Sequence, residues 1–167
     1  MRYVPAALAL SMLVAVTSSV GMAEDKATDP RSASLEAQGR SQLAAGQVEM
    51  AIDSFEAALA IDPGNIRLFL DLGDAARKQG LQGKAIHYYR EALEREPKNF
   101  AALSGEGEAL LEKGAIAKAQ RNLAQLQSLC GSNCPESQEL AAAIDRGPQS
   151  ATLAAESATP DPVVTQN

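Results

Sequence analysis

Through the middle of the chain, large apolar side chains recur every three or four residues, in helix-length stretches divided by short Gly or Pro breaks. That spacing puts them on one face of a helix, whereas a strand would alternate at every second position. Seven helices are predicted, over approximately 33–45, 48–60, 66–79, 82–94, 100–113, 116–129 and 134–145.

The breaks themselves repeat. Gly39, Gly73 and Gly107 stand 34 residues apart, as do Gly46, Gly80 and Gly114, then Ala51, Ala85 and Ala119, then Asn65, Asn99 and Asn133, with Pro63 and Pro97 at the same offset. Periods of this size mark stacked units, each burying its apolar face only against its neighbours, and such an array is built to present a surface. Gly46, Gly80 and Gly114 fall between the two helices of a pair, where a positive φ closes the first helix at little steric cost. Asn65, Asn99 and Asn133 precede each following helix and can accept from its first unpaired amides, a cap worth about 1 kcal/mol. Asn133, with Glu136 three residues on, is arranged like a reciprocal capping box. Gly39, Gly73 and Gly107 lie inside helices, where each costs about 1 kcal/mol relative to Ala. A periodic cost implies a periodic reason: close approach of the paired helices, with Ala51, Ala85 and Ala119 facing across the gap.

These residues resemble the tetratricopeptide repeat family. The second unit matches best, with Phe69-x-x-Leu72-Gly73, Ala85-x-x-x-Tyr89, Ala92 and Pro97. The first keeps Leu35, Gly39, Ala51, Phe55, Ala58 and Pro63 but has Gln38 where Leu is usual. The third keeps Leu103, Gly107 and Ala119 and departs at Leu123, Leu126 and Gly131. The resemblance implies an all-α, right-handed superhelical solenoid of three helix-turn-helix units, 32–65, 66–99 and 100–133, closed by a capping helix over 134–145. It also implies that the first helix of each pair lines a concave groove that receives a peptide or helix of another protein.

Helical spacing nominates the groove residues. Arg67, Asp71, Asp74 and Lys78 form one stripe of the second unit, with Arg77 beside them; the 34-residue shift adds Arg40 from the first unit and Glu108 and Glu112 from the third. Leu70 flanks this stripe, and Leu43 and Leu111 lie a turn further along in their own units, either as anchors for an apolar partner side chain or as packing residues between helices. The plain alternative for the charges is a solvated face with local pairs such as Arg67 with Asp71. Groove types that grip a C-terminal carboxylate use Lys, Asn and Arg at positions occupied here by Glu36, Arg40, Asp71, Ala101 and Gly105, of which only Arg40 is suited, so no carboxylate clamp is expected.

The ends read differently. Residues 1–23 carry Arg2, an apolar run from Val4 to Val16 and a small-residue finish, the pattern of a secretory signal peptide cut after Ala23. No later stretch is apolar enough to span a membrane. Residues 24–32 read as a flexible lead-in and 146–167 as a disordered tail of Ser, Thr, Ala and Pro. An exported chain of this class is expected in the periplasm of a Gram-negative bacterium, or secreted.

Composition narrows the function. A net charge of −6 with no run of Lys or Arg is a poor match for nucleic acid or anionic lipid. Cys130 and Cys134 flank a turn, four residues apart, and in an oxidising compartment can close a disulfide. A copper or haem role lacks its further ligand, since the chain's one His, His87, is distant in sequence and Pro135 follows Cys134. No nucleophile with its base, no phosphate loop and no metal-ligand cluster is evident, so neither catalysis nor a cofactor is expected. The expectation is a non-enzymatic scaffold for a protein or peptide partner in envelope assembly. Two alternatives stay open: a self-associating structural module, and a metal or redox carrier that uses the Cys130/Cys134 turn.

Overall fold

A computed structural model describes residues 29–147. The predicted leader 1–23, residues 24–28 of the lead-in and residues 148–167 of the tail lie outside the described residues. Seven helices follow in order: α1 Pro30–Ala44, α2 Val48–Ile61, α3 Ile66–Lys78, α4 Gln82–Arg95, α5 Phe100–Glu112, α6 Ile116–Cys130 and α7 Pro135–Arg146. Among the described residues there is no strand. The helices pair as α1/α2, α3/α4 and α5/α6; each second helix packs on the next unit, and the first helices touch in series from α1 to α3 to α5.

Local signals set the boundaries. The turns within the three pairs pass through Gly46, Gly80 and Gly114 at φ +76°, +74° and +83°, a conformation a β-carbon would strain. Asn65 Oδ1 accepts from the Arg67 amide (3.1 Å), and Asn99 Oδ1 from the Ala102 amide (2.9 Å), so both cap the helices they precede. Asn133 does not. The residue before α7 is Cys134, which makes no side-chain cap, and Pro135 opens the helix without an amide to satisfy.

The start of α1 also differs from the expected lead-in. Pro30, Arg31 and Ser32 are helical because Asp29 Oδ1 accepts from the Arg31 amide at 2.8 Å and Pro30 presets the first turn. Ser32 is fully buried and its hydroxyl donates to the Ala58 carbonyl (3.0 Å), tying α1 to α2.

The core is segmented like the chain. Phe55, Ala51, Ala58, Leu68, Leu72 and Ala75 fill the space between the first and second units. Tyr89, Ala85, Ile86, Ala109, Leu110 and Leu111 fill the next. Leu103, Leu126 and Leu140 close the far end, so α7 stacks on α5 where the first helix of a further unit would lie. Leu126 is fully buried, so its bulk is accommodated inside this cluster. Each fully buried Leu or Phe contributes about 2–3 kcal/mol from area removed from water.

The in-helix glycines meet different neighbours from those expected. A β-carbon at Gly39 would stand 2.5 Å from the Phe55 ring and one at Gly73 2.6 Å from the Tyr89 ring, while at Gly107 the intruder is Leu140 of α7, at 2.6 Å. The nearest atoms thus belong to the aromatic sixteen residues on, or to its substitute from α7. Gly105 makes room for the same crowded Tyr89 ring from its opposite side, where a β-carbon would lie 2.5 Å away.

Candidate functional site

The first helices α1, α3 and α5, joined by α7, share one side of the solenoid, and the predicted groove residues fall there. Two hollows flank Arg77. One, of about 380 Å³, is lined by Leu43, Asp74, Arg77, Lys78 and Glu112. The other, of about 250 Å³, is bounded by Arg77, Glu108, Leu111 and Glu112 on α3 and α5, and by Ala143 and Arg146 on α7.

Arg77 joins the second and third units. Its Nη2 lies 2.6 Å from Glu108 Oε2 and 2.6 Å from Glu112 Oε1, and its Nε donates to Glu112 Oε2 at 3.3 Å. Gln82 Nε2 donates to the same Glu112 carboxylate (2.9 Å). Burial pulls the guanidinium pKa down, but the bond to Glu112 and the charge of Glu108 outweigh it, and the net shift is upward. Arg77 is therefore a fixed cation in the ridge between the hollows.

A second ion-pair set joins the first and second units. Arg40 Nε donates to both oxygens of Asp71 (3.1 and 3.0 Å), and its Nη2 lies 3.0 Å from the buried Glu36. Arg67 Nε stands 3.6 Å from Glu36, and Asn65 Nδ2 donates to it at 2.8 Å. Burial holds the Asp71 carboxyl above its usual range despite the bond from Arg40. Arg67 thus pairs with Glu36 and Asp71 with Arg40 across units, in place of an Arg67–Asp71 pair along α3, while Arg40 also pairs with Glu36 along α1.

Asp74 accepts from the Tyr89 hydroxyl at 2.5 Å, so a ring from the second helix of the unit reaches the groove surface between Gly73 and Gly105. Lys78 is exposed at the rim and forms no ion pair among the described residues. Of the three leucines, Leu111 is buried in the core and still borders a hollow, Leu43 is half-buried and lines the other, and Leu70 is half-buried against two core clusters.

The predicted residues therefore form two groups: Asp74, Arg77, Lys78, Glu108 and Glu112 around the hollows, and Arg40, Arg67 and Asp71 in the ion-pair set nearer α1. Sequence spacing missed Tyr89, Ala143 and Arg146. The aromatic could have been assigned to the groove only by noticing that Gly105, which has no glycine 34 residues before or after it, leaves room for its ring. Cys130 and Cys134 lie away from the groove, their Cα atoms 5.9 Å apart and their sulfurs at bonding distance, with Ser137 Oγ 3.2 Å from Cys134 Sγ. Among the described residues no group of His, Cys, Asp or Glu is placed to hold a metal, and no helix is long and apolar enough to cross a membrane.

Two sequence profiles described as tetratricopeptide repeat match the chain, over residues 33–65 and 70–124. Together with the stacked helix pairs, they show that the chain belongs to the tetratricopeptide repeat family. No curated protein sequence matches it. Among solved structures it is similar to the type III secretion chaperone SycD of Yersinia enterocolitica in complex with a peptide of the translocator YopD, at 30% identity, covering 68% of this chain and 86% of that one with a TM-score of 0.60. The Sgt2 tetratricopeptide domain of Aspergillus fumigatus superposes with a TM-score of 0.64 at 20% identity, covering 83% of this chain and 90% of that one. The first such domain of Spaghetti (RPAP3), bound to the HSP90 peptide SRMEEVD, gives 0.62 at 19% identity, with coverage of 70% and 92%.

Proposed function

We propose that the protein is a non-enzymatic interaction scaffold that receives a peptide or helical segment of a partner protein along α1, α3, α5 and α7. The observation that carries this reading is the pair of hollows on either side of the Arg77 ridge, each with an apolar edge, Leu43 or Leu111 with Ala143, and a rim of charge. An apolar side chain placed in each hollow and a polar backbone over Arg77 and Glu112 would satisfy both surfaces. The SycD structure, with a translocator peptide bound, supports the same mode of use.

The occupant is not a C-terminal carboxylate. Arg40, the cation best suited to grip one, is engaged by Glu36 and Asp71, and the side of α5 where Gly105 lies is closed by Tyr89. With residues 1–23 read as a secretory leader, the scaffold works in the periplasm, in the service of an envelope assembly. In that compartment Cys130 and Cys134 form a disulfide that holds the α6–α7 turn, with a chain-entropy contribution of about 2 kcal/mol. Masses measured after alkylation with and without reductant test the bond, and free thiols in exported protein would remove it.

The groove is tested by placing a photo-crosslinking residue at Lys78 in cells, with one at Asp53 on the exposed side of α2 as control. A partner identified by mass spectrometry from position 78 alone, whose cognate peptide then shifts the amides of Lys78 and Leu111, is expected. Equal capture from both positions, or a peptide that leaves those amides unmoved, would overturn it.

A further inference from the structure

Away from the groove, a cleft of about 270 Å³ opens between α4 and the α5–α6 turn. Its floor is Ile86 and Leu110, and its charged lining is Arg90, Lys113 and Lys118, with no carboxylate among the lining residues. In a chain of net charge −6, three cations around one small hollow run against the overall balance.

The 34-residue register sets the cleft beside its counterpart in the preceding unit. The positions one unit earlier are Glu56, Gln79 and Lys84. There the Lys84 ammonium lies 3.8 Å from the Glu56 carboxylate and 5.6 Å from the centre of the Tyr88 ring, so its charge is met within the fold. One unit later Glu56 has become Arg90 and Gln79 has become Lys113, while the lysine is kept as Lys118. The Lys84–Glu56 pair thus has no counterpart here, and three cations line the cleft, of which Arg90 alone is paired, with Glu106.

Of the three, Arg90 alone has a carboxylate partner, Glu106, and that contact uses its Nε only. Arg90 donates from Nε to Glu106 (2.7 Å), a buried carboxylate also bound by Asn122 Nδ2 (3.0 Å); this fixes the guanidinium and leaves its two terminal nitrogens for another acceptor. Lys113 and Lys118 form no ion pair among the described residues. Lys113 reaches across to α4, its Nζ standing 4.0 Å from where a β-carbon at Gly83 would be. Lys118 occupies the first turn of α6, a helix start with no side-chain cap and no acidic residue, where the backbone dipole already repels a cation. An anion held by the lysine near this helix start would offset that repulsion.

We propose that this cleft binds a phosphate group. A forked guanidinium and two ammonium groups match an anion with several acceptor oxygens better than a single carboxylate. The cleft exceeds the size of a bare phosphate, and Ile86 and Leu110 provide an apolar floor for the organic part that carries it. Three cations around one small hollow suit one phosphate and not a nucleic-acid backbone. The source is a soluble phosphate ester or the headgroup of an anionic phospholipid.

The test is an NMR titration of the nitrogen-labelled protein with inorganic phosphate at constant ionic strength, with sodium chloride as the matched control. Amides from Gly114 to Lys118 are expected to move with phosphate and not with chloride. The Lys113→Gln, Lys118→Gln double variant, altered only at exposed positions, should keep its melting temperature and bind phosphate at least about tenfold more weakly; Arg90→Gln should weaken it independently. Movement that is absent, matched by chloride, or undiminished in the double variant would overturn the proposal. Glycerol 3-phosphate and phosphatidylglycerol vesicles, the latter against phosphatidylcholine vesicles, then distinguish the two sources. The amide of Lys78, which does not border the cleft, reports the groove separately, so failure at one site is read independently of the other.

Discussion

Tyr89 is the residue on which the second and third units turn. Its ring lies between Gly73 on α3 and Gly105 on α5, and its hydroxyl donates to Asp74, so one side chain joins packing, unit spacing and groove polarity. Gly105→Ala would gain about 1 kcal/mol in helix propensity yet place a β-carbon 2.5 Å from an immobile ring. Overpacking wins, and a net loss of about 1–2 kcal/mol is expected, read as a melting temperature lower by roughly 4–8 °C. Burial, then the charge of Asp74 and the bond to it, hold the Tyr89 phenol protonated well above the usual range. The folded protein therefore keeps a proton that the unfolded chain releases near pH 10, so this contribution is complete below about pH 10 and is lost as the pH rises beyond it. Unfolding by denaturant at stepped alkaline pH, with tyrosinate absorbance followed in parallel, should show stability falling before the Tyr89 phenol ionises; a shallower profile in Tyr89→Phe would assign that share to Tyr89, burial raising the Tyr88 phenol in the same direction.

Among the elements, α7 shows where the thirty-four-residue rhythm gives way to an ending. The first six helices could be assigned from apolar spacing and Gly breaks because each unit restates the same local physics. The start of α1 could not, since Asp29 and Pro30 cap it without any apolar residue to mark the turn and Ser32 is buried through a single bond to Ala58. Asn133 misled for a related reason: its position in the register matched Asn65 and Asn99, but the turn through Gly131 moves the cap to Cys134. Leu140 fills the place over Gly107 that Phe55 and Tyr89 fill over Gly39 and Gly73. Leu140→Ala should cost about 3 kcal/mol. The loss should be local first, so hydrogen exchange is expected to quicken across α7 before it changes in α3.

For the whole molecule, charge is distributed by unit boundary. The seam between the first and second units is closed by Arg40, Arg67, Glu36 and Asp71, and that between the second and third by Arg77 with Glu108 and Glu112. Spacing alone grouped most of these residues on one face but could not choose their partners, because an i,i+4 pair and a cross-unit pair use the same residue types. The cationic cleft was legible only by aligning Glu56 with Arg90 and Gln79 with Lys113, since residues 90, 113 and 118 form no run in the chain. Arg77→Ala would leave Glu108 and Glu112 facing each other, partly shielded, at a cost of about 1–2 kcal/mol. Urea unfolding should show that deficit shrinking as salt is raised, because added ions screen the two carboxylates; a deficit independent of salt would assign the loss to packing.

The wedge of one phenol between two facing glycines has a consequence for how such an array can lengthen. A new module spliced in after the second would have to bring its own hollowed helix to admit the ring of its predecessor, and would have to offer a ring to a successor that expects one. Ahead of the second module no such double fitting is required, as Phe55 meets a glycine within its own pair. Growth of the array is therefore less constrained toward the amino terminus than at its carboxyl half, where the last two modules and their lid are fitted to one another.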